Sequence, residues 1–287
     1  MTTNKQPIIA VLGTGLIGAP VARNLNHRGF TVHAWNRTVT KAHALRQDGV
    51  RAFDTPADAV RGADIIVTVL KDGPAVHEAM QAAAASLTRG AAWLQLSTVG
   101  VNAVEDLRQF AERHGLVFHD APVQGTRQPA EQGQLVILAS GPLDGRHVAQ
   151  QVFDAIGKRT VWVSDQAGAS SRLKLALNSW AFALTHGIAE SLRLAEGLGI
   201  DPSLVVDVVT GGPMDSGFFQ AKAAAMLAGD YTASFSIANA VKDAQLIIDA
   251  AAEAGVQADA AHAGLQRFAR ALAAGHGDRD MAASHLA

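Results

Sequence analysis

The stretch "VLGTGLIGAP" (residues 11–20) carries glycines at 13, 15 and 18 directly behind an apolar run. Glycines mark turns in every fold, so the spacing gains meaning from what flanks it. "IIAVL" (8–12) reads as a buried strand, "LIGAPVARNLNHRG" (16–29) as a helix ended by Gly29, and "TVHAW" (31–35) as a second strand. In such a unit Gly13 permits the tight turn, Gly15 lets the backbone approach a pyrophosphate, and Gly18 lets the helix pack on the sheet. The pyrophosphate then rests on the helix N-terminus, where unpaired N–H groups and the helix dipole favour an anion.

The end of the second strand refines this reading. A site for NAD wants a carboxylate there to take the ribose 2′-hydroxyl, but this chain has Asn36, Arg37 and Thr38. A carboxylate repels a 2′-phosphate, whereas a guanidinium and a hydroxyl bind one. NADP(H) is therefore expected in preference to NAD(H); the alternative for Arg37 is a solvated loop arginine.

The alternation of short apolar runs with helical segments continues through "DIIVTVL" (64–70), "AAWLQL" (91–96), "LVFHD" (116–120), "QLVILAS" (134–140) and "TVWV" (160–163). This pattern predicts a parallel sheet covered by helices on both faces. From about 166 to 196 apolar residues occur all round a helical wheel, predicting one long helix buried on several sides. The remainder is alanine-rich, helical in propensity and punctuated by "GLGIDP" and "TGGPMDSG", without a convincing strand. The expected fold is α/β: a Rossmann-type doubly wound domain over 1–164, then an all-α domain over 165–287 entered through the long helix.

Composition narrows the function classes. A formal charge of −2 and a pI near 6.6 leave no basic field for nucleic acid or an anionic membrane, which points to a small-molecule partner. The absence of cysteine excludes disulfides, thiolate metal sites and cysteine nucleophiles. The 11 histidines show no ligand spacing, so no metal site is expected. The opening "MTTNKQPIIAVLG" reads as a first strand rather than a signal peptide, and no apolar run approaches the roughly 20 residues that span a bilayer. A cytoplasmic protein is expected.

A carbonyl-reducing nicotinamide enzyme needs a proton donor for the developing alkoxide and groups that fix the substrate. In "GASSRLKLALNSW" (168–180), Lys174 and Asn178 lie four residues apart and so share one helix face. A lysine within an apolar helix is costly to bury without purpose, although a snorkelling lysine and a plain helix asparagine have the same spacing.

Taken together, the motifs resemble the β-hydroxyacid dehydrogenase family, whose members include 3-hydroxyisobutyrate dehydrogenase, tartronate semialdehyde reductase and the glyoxylate/succinic semialdehyde reductases. "VLGTGLIGAPVARNL" resembles its cofactor motif and "GASSRLKLALN" its catalytic motif. "DAPVQGTRQPAEQGQLVILASG" (120–141) resembles the substrate motif, in its glyoxylate/succinic semialdehyde reductase version, and "VKDAQLIIDAA" (241–251) the late Lys-Asp motif. The resemblance implies that Lys174 is general acid in reduction and general base in oxidation, with Asn178 holding the substrate beside it. It implies a carboxylate-binding loop at Val123, Gln124, Gly125 and Thr126, acting chiefly through backbone N–H groups. Lys242 would close over nicotinamide and substrate, with Asp243 buttressing it, and Ser97 and Thr98 of "QLSTVG" would line the reacting centre. Gly13, Gly15, Leu16, Ile17, Gly18, Asn36, Arg37, Thr38, Leu70, Thr98 and Lys242 would contact the cofactor.

Two positions depart from the family pattern. Gln124 stands where serine is usual, which alters the carboxylate pocket; Arg127 in the same loop either restores an anion contact or is solvated. Ser170 stands where a second glycine is usual, keeping a small side chain. Three further positions have structural readings: His186 as a hydrogen-bonded core residue, Trp180 and Phe182 as packing at a domain or subunit junction. "PMDSGFF" (213–219) supplies Met214, Phe218 and Phe219 either to an apolar wall of the site or to simple core packing. The expected enzyme reduces small aldehydes or ketones bearing a carboxylate and forms a homodimer or homotetramer through its helical domain. The alternatives are an imine reductase-like NADPH enzyme, which the lysine argues against, and a non-catalytic NADP-binding scaffold, which would have shed Lys174 or Asn178. Decarboxylating 6-phosphogluconate dehydrogenases share the motifs but carry a much larger helical domain.

Overall fold

The computed structural model describes residues 6–287; the expectation that no signal peptide opens the chain falls in part on the first five residues, outside that range. The chain divides into two compact units, Met1–Lys174 and Leu175–Ala287.

The first unit alternates strands and helices as its apolar runs dictate. It begins β1 (Ile8–Leu12), α1 (Gly18–His27), β2 (Thr31–Trp35), α2 (Val39–His43), β3 (Arg51–Ala52) and α3 (Pro56–Val60). It continues β4 (Ile65–Thr68), α4 (Gly73–Ala83), β5 (Ala92–Gln95), α5 (Val101–His114), β6 (Val117–Asp120) and β7 (Val123–Gln124). It closes with α6 (Arg127–Glu131), β8 (Leu135–Ser140), α7 (Arg146–Ile156), β9 (Gly157–Ser164) and the start of α8 (Ala169–Gly197). The strand order is β3-β2-β1-β4-β5-β6-β8-β7, with β9 on β8. Alternate residues of one strand feed two cores. Ile9 and Val11 meet Val21 and Leu25 of α1 and Phe153 of α7, while Ala10 and Leu12 meet Val60, Met80 and Phe110 from α3, α4 and α5. That two-sided burial is why these strands read as continuous apolar runs.

The expectation of a parallel sheet holds from β3 to β6 and again between β8 and β9, but β6 and β7 both pair antiparallel with β8. The cause is length: residues 125–134, between β7 and β8, are too few for a parallel crossover, which takes a dozen or more. The chain turns back instead, through Gly125 and Gly133, both at positive φ.

Helix α8 covers the predicted long helix, but its burial differs from the expectation. Ser171, Lys174, Leu175, Asn178, Phe182, Thr185, Ala189 and Leu192 are buried at three- and four-residue steps along one face. On other faces Trp180 is 65% exposed and Leu194 60%. The helix is therefore buried on one side in this chain, because it has apolar residues all round but neighbours on only one face.

The second unit adds α9 (Ser203–Val209), α10 (Gly217–Ala228), α11 (Ile237–Glu253) and α12 (Asp259–Ala273) to the rest of α8. Phe182 packs against Phe235 and edge-on to Phe268, and Lys222 is buried in an ion pair with Asp280 at 2.6 Å. In "PMDSGFF" Ser216 caps α10, Phe219 packs on the helical core, and Met214 is exposed. His186 corrects another expectation: it packs in the core but is not hydrogen-bonded, since neither ring nitrogen has a partner among the described residues. Its ring lies 4.3 Å from that of Phe268 and against Gly264, where a Cβ would stand 2.6 Å from Nε2. Only the lack of a side chain at 264 admits the imidazole. No helix among the described residues is long and apolar enough to cross a membrane.

Candidate active site

The carboxyl ends of β1, β2, β4 and β5 gather the expected cofactor residues at the point where strand order reverses, between β1 and β4. Gly13 holds φ at 103°, and a Cβ there would lie 2.1 Å from the Val69 carbonyl oxygen. At Gly18 a Cβ would lie 1.9 Å from the Gly13 carbonyl oxygen, so these two glycines are required by the protein's own packing. Gly15 is different: it is exposed, and a Cβ there meets nothing within 4 Å. Its glycine is unexplained by the polypeptide and suits the approach of a ligand. The start of α1 has no side-chain cap and no acidic residue in its first turn, and Thr14 Oγ1 is buried without a partner among the described residues. These features fit a dinucleotide pyrophosphate at Gly15, Leu16, Ile17 and Gly18.

Asn36 Oδ1 accepts from Thr14 N at 3.0 Å and its Nδ2 donates to the Thr38 carbonyl oxygen at 3.1 Å. Asn36 thus ties the β2 turn to the glycine loop, while the Arg37 and Thr38 side chains stand exposed. Across the crevice Ser97 Oγ accepts from Leu70 N at 2.9 Å, and Ser97 N donates to Gln95 Oε1 at 2.7 Å. Gln95 Nε2 in turn donates to the Ser97 carbonyl oxygen, and Trp93 Nε1 to Thr68 Oγ1. Buried polar groups need such partners. The network fixes Leu70 and Ser97 as one rigid edge, a support that sequence reading did not find.

The stretch expected to be catalytic begins at a buried carboxylate. Asp120, fully buried at the end of β6, accepts from Ser171 N at 3.0 Å, from Ser171 Oγ at 2.9 Å and from Ser170 Oγ at 2.9 Å. It caps α8 from a different element, a carboxylate at a helix N-terminus. Ser140 Oγ lies 2.6 Å from Ser170 Oγ; because a hydroxyl has one proton and Ser170 gives its own to Asp120, Ser140 is the donor between them. Burial, opposed by the bonds from Ser171 and Ser170, pushes the Asp120 carboxyl up to about 6. Ser170 keeps the position small, as expected, and also contributes its hydroxyl. The signal for this cluster was present in sequence as a lone buried-strand Asp and a Ser-Ser pair, but nothing local joins residues 50 positions apart.

One turn into α8, Lys174 is 8% exposed and donates from Nζ to Gln124 Oε1 at 2.9 Å. Gln124 and Val123 sit on β7, and Gly125 holds φ at 124°, where a Cβ would stand 3.0 Å from the Leu135 side chain and 3.1 Å from Pro129. Arg127 bonds Glu131 within α6 at 2.8 Å, both side chains about half exposed, in line with a solvated loop arginine. In the second unit Asn178 Nδ2 donates to Asp243 Oδ2 at 2.9 Å, and Lys242 pairs with the other oxygen of Asp243. Asp243 thus orients the Asn178 amide as well as meeting Lys242.

Comparisons with known proteins agree with this geometry. Residues 8–164 match the family model for the NAD binding domain of 6-phosphogluconate dehydrogenase. Residues 168–285 match that for the NAD-binding of NADP-dependent 3-hydroxyisobutyrate dehydrogenase. Glyoxylate/succinic semialdehyde reductase 1 of Arabidopsis thaliana is 28% identical over 278 residues, 96% of each chain. A cytokine-like nuclear factor N-PAC of Danio rerio is 30% identical over 282 residues, 97% of this chain but only 61% of that protein. Mycobacterium tuberculosis 3-hydroxyisobutyrate dehydrogenase, solved with L-serine, is 27% identical with a TM-score of 0.87, covering 98% of both chains. Fold and site define an NAD(P)-dependent oxidoreductase acting between CH–OH and C=O. The chain belongs to the β-hydroxyacid dehydrogenase family.

Proposed function

We propose that the protein is an NADPH-preferring reductase of small aldehydes or ketones that carry a carboxylate, with Lys174 as general acid in reduction and general base in oxidation. The observation that carries this reading is Lys174 itself, a buried lysine bonded to the substrate loop through Gln124 and one turn before Asn178 on the same helix face. A bound nicotinamide supplies hydride to the carbonyl carbon. Lys174 Nζ supplies the proton to the oxygen, and Asn178, its amide direction set by Asp243, holds the substrate beside it. Val123, Gln124, Gly125 and Thr126 receive the carboxylate, and Ser97 and Thr98 line the nicotinamide side. Retention of Lys174 favours carbonyl over imine reduction. The test is NADPH oxidation with glyoxylate and succinic semialdehyde by the wild type and by Lys174→Ala.

The cofactor preference rests on Arg37 and Thr38, exposed at the end of β2 with no carboxylate among residues 36–38. Arg37→Ala is expected to raise the KM for NADPH about tenfold or more, since a hydrogen bond to a charged group contributes about 1.5–3 kcal/mol, and to leave that for NADH within about twofold. Equal effects on both cofactors would remove Arg37 from the 2′-phosphate site.

The assembly is proposed to be a homodimer or homotetramer through the helical unit. Trp180, Leu194, Leu198 and Val208 are each at least 60% exposed, and large open apolar side chains of this kind mark interfaces. Light scattering coupled to gel filtration should give at least twice the 29.9 kDa chain mass; a monomer would overturn the assignment.

A further inference from the structure

Gln124 is the residue at which this substrate loop departs from its family, and its contact with Lys174 has a fixed direction. An ammonium nitrogen has only donors, so the amide oxygen must face it, as observed at 2.9 Å. Nε2 then lies about 2.3 Å from Oε1 by standard C=O and C–N lengths, and its N–H groups, which cannot donate to the lysine, are left for another acceptor. The base of the side chain is held as firmly as its tip: Gln124 pairs with Val136 in the sheet, and Gly125 follows in a conformation reserved for glycine. Arg127, the neighbouring cation, is committed to Glu131.

The amide edge therefore places an N–H donor beside the proton-donating ammonium: Nζ and an oxygen bonded to Nε2 stand about 3 Å apart, so an oxygen accepting from Nζ has that second oxygen as a near neighbour. In a 2-oxo acid the carbonyl oxygen and the nearer carboxylate oxygen are about 2.7 Å apart when syn, by standard C=O and C–C lengths. Such a substrate can put its carbonyl oxygen on Lys174 and a carboxylate oxygen on Gln124 Nε2 at once. In extended succinic semialdehyde two methylenes roughly double the separation, so one of the two bonds is lost or both are bent. Serine at this position lacks the reach to present either amide atom.

We propose that Gln124 is a specificity-determining residue that selects carbonyl acids whose carboxylate is bonded directly to the carbonyl carbon, reading that carboxylate through Nε2 while Oε1 holds Lys174. This rests on the lysine-centred reduction proposed above. The test compares kcat/KM for glyoxylate and for succinic semialdehyde, with NADPH, in the wild type, Gln124→Ser and Gln124→Asn, alongside NADPH binding and melting temperature. The wild type should favour glyoxylate by about tenfold or more, and both variants should lower that ratio by about tenfold, the value of one lost hydrogen bond. Asn keeps the amide but is one methylene short, so it separates reach from polarity and stands in if Ser folds poorly. A ratio unchanged within twofold in a folded, NADPH-binding variant overturns the role of Gln124 and leaves the lysine reading intact. Failure of the wild type to reduce either acid overturns the lysine reading and this inference with it.

Discussion

Lys174→Ala is expected to lower kcat with a carboxylate-bearing aldehyde on the order of a thousandfold while leaving NADPH affinity within a few-fold of wild type. The size follows from what else lies at hand. The Gln124 amide beside Nζ has no titratable proton, and Arg127 is committed to Glu131. Water replacing the side chain is a poor donor at neutral pH, so positioning and hydride supply survive but proton delivery does not. Lys174→Arg sharpens the test, because it keeps the positive charge and loses only the transferable proton. Both variants should fall together. Turnover in Lys174→Ala within tenfold of wild type would remove Lys174 from acid–base chemistry.

The parts of the molecule that sequence disclosed are those set by local pattern. Buried strands of the first unit are continuous apolar runs because helices cover both faces, and Gly13 and Gly18 announce themselves because backbone carbonyls occupy the space of their side chains. The strands were legible for that reason, and so was the gathering of the glycine loop, Asn36–Thr38, Leu70 and Ser97 at one sheet edge, which follows from strand order. What escaped is set by distance along the chain. Strand β7 is two residues long and antiparallel, below any periodic signal. The cap of Asp120 on α8 joins residues 50 and 51 positions apart, and the grip of Asp243 on Asn178 joins residues 65 apart. His186 was expected to be hydrogen-bonded because a histidine in a core ordinarily is; its isolation depends on Gly264, on another helix.

Asp120 and His186 should give this protein two opposed responses to acid, one in each unit. Asp120 is held near 6 by burial against an ordinary 3.8, so its neutral form is the one the fold favours. Its contribution is fully present below about 3.8 and is lost as pH rises through 6, a span of about 3 kcal/mol at about 1.4 kcal/mol per pKa unit. His186 is pushed down to about 4 from 6.5, by burial first and then by Arg267 and Arg270. Its contribution is present above 6.5 and is lost as pH falls through 4, about 2 kcal/mol once the partial exposure of the residue is allowed for. Asp120→Asn keeps the shape and removes the charge. Its unfolding free energy relative to wild type should therefore worsen as pH falls from 7 to 4. His186→Leu places an apolar group where no hydrogen bond existed, and its relative stability should improve over the same range. Urea titrations across that range can separate the units when each variant also carries Trp180→Phe, since the remaining tryptophans, Trp35, Trp93 and Trp162, all lie in the first unit, while far-UV circular dichroism weighs the helical second. Parallel pH curves for wild type and Asp120→Asn would mean that this carboxyl titrates alike in the folded and the unfolded chain, and the upward pull of burial on Asp120 would have to be given up.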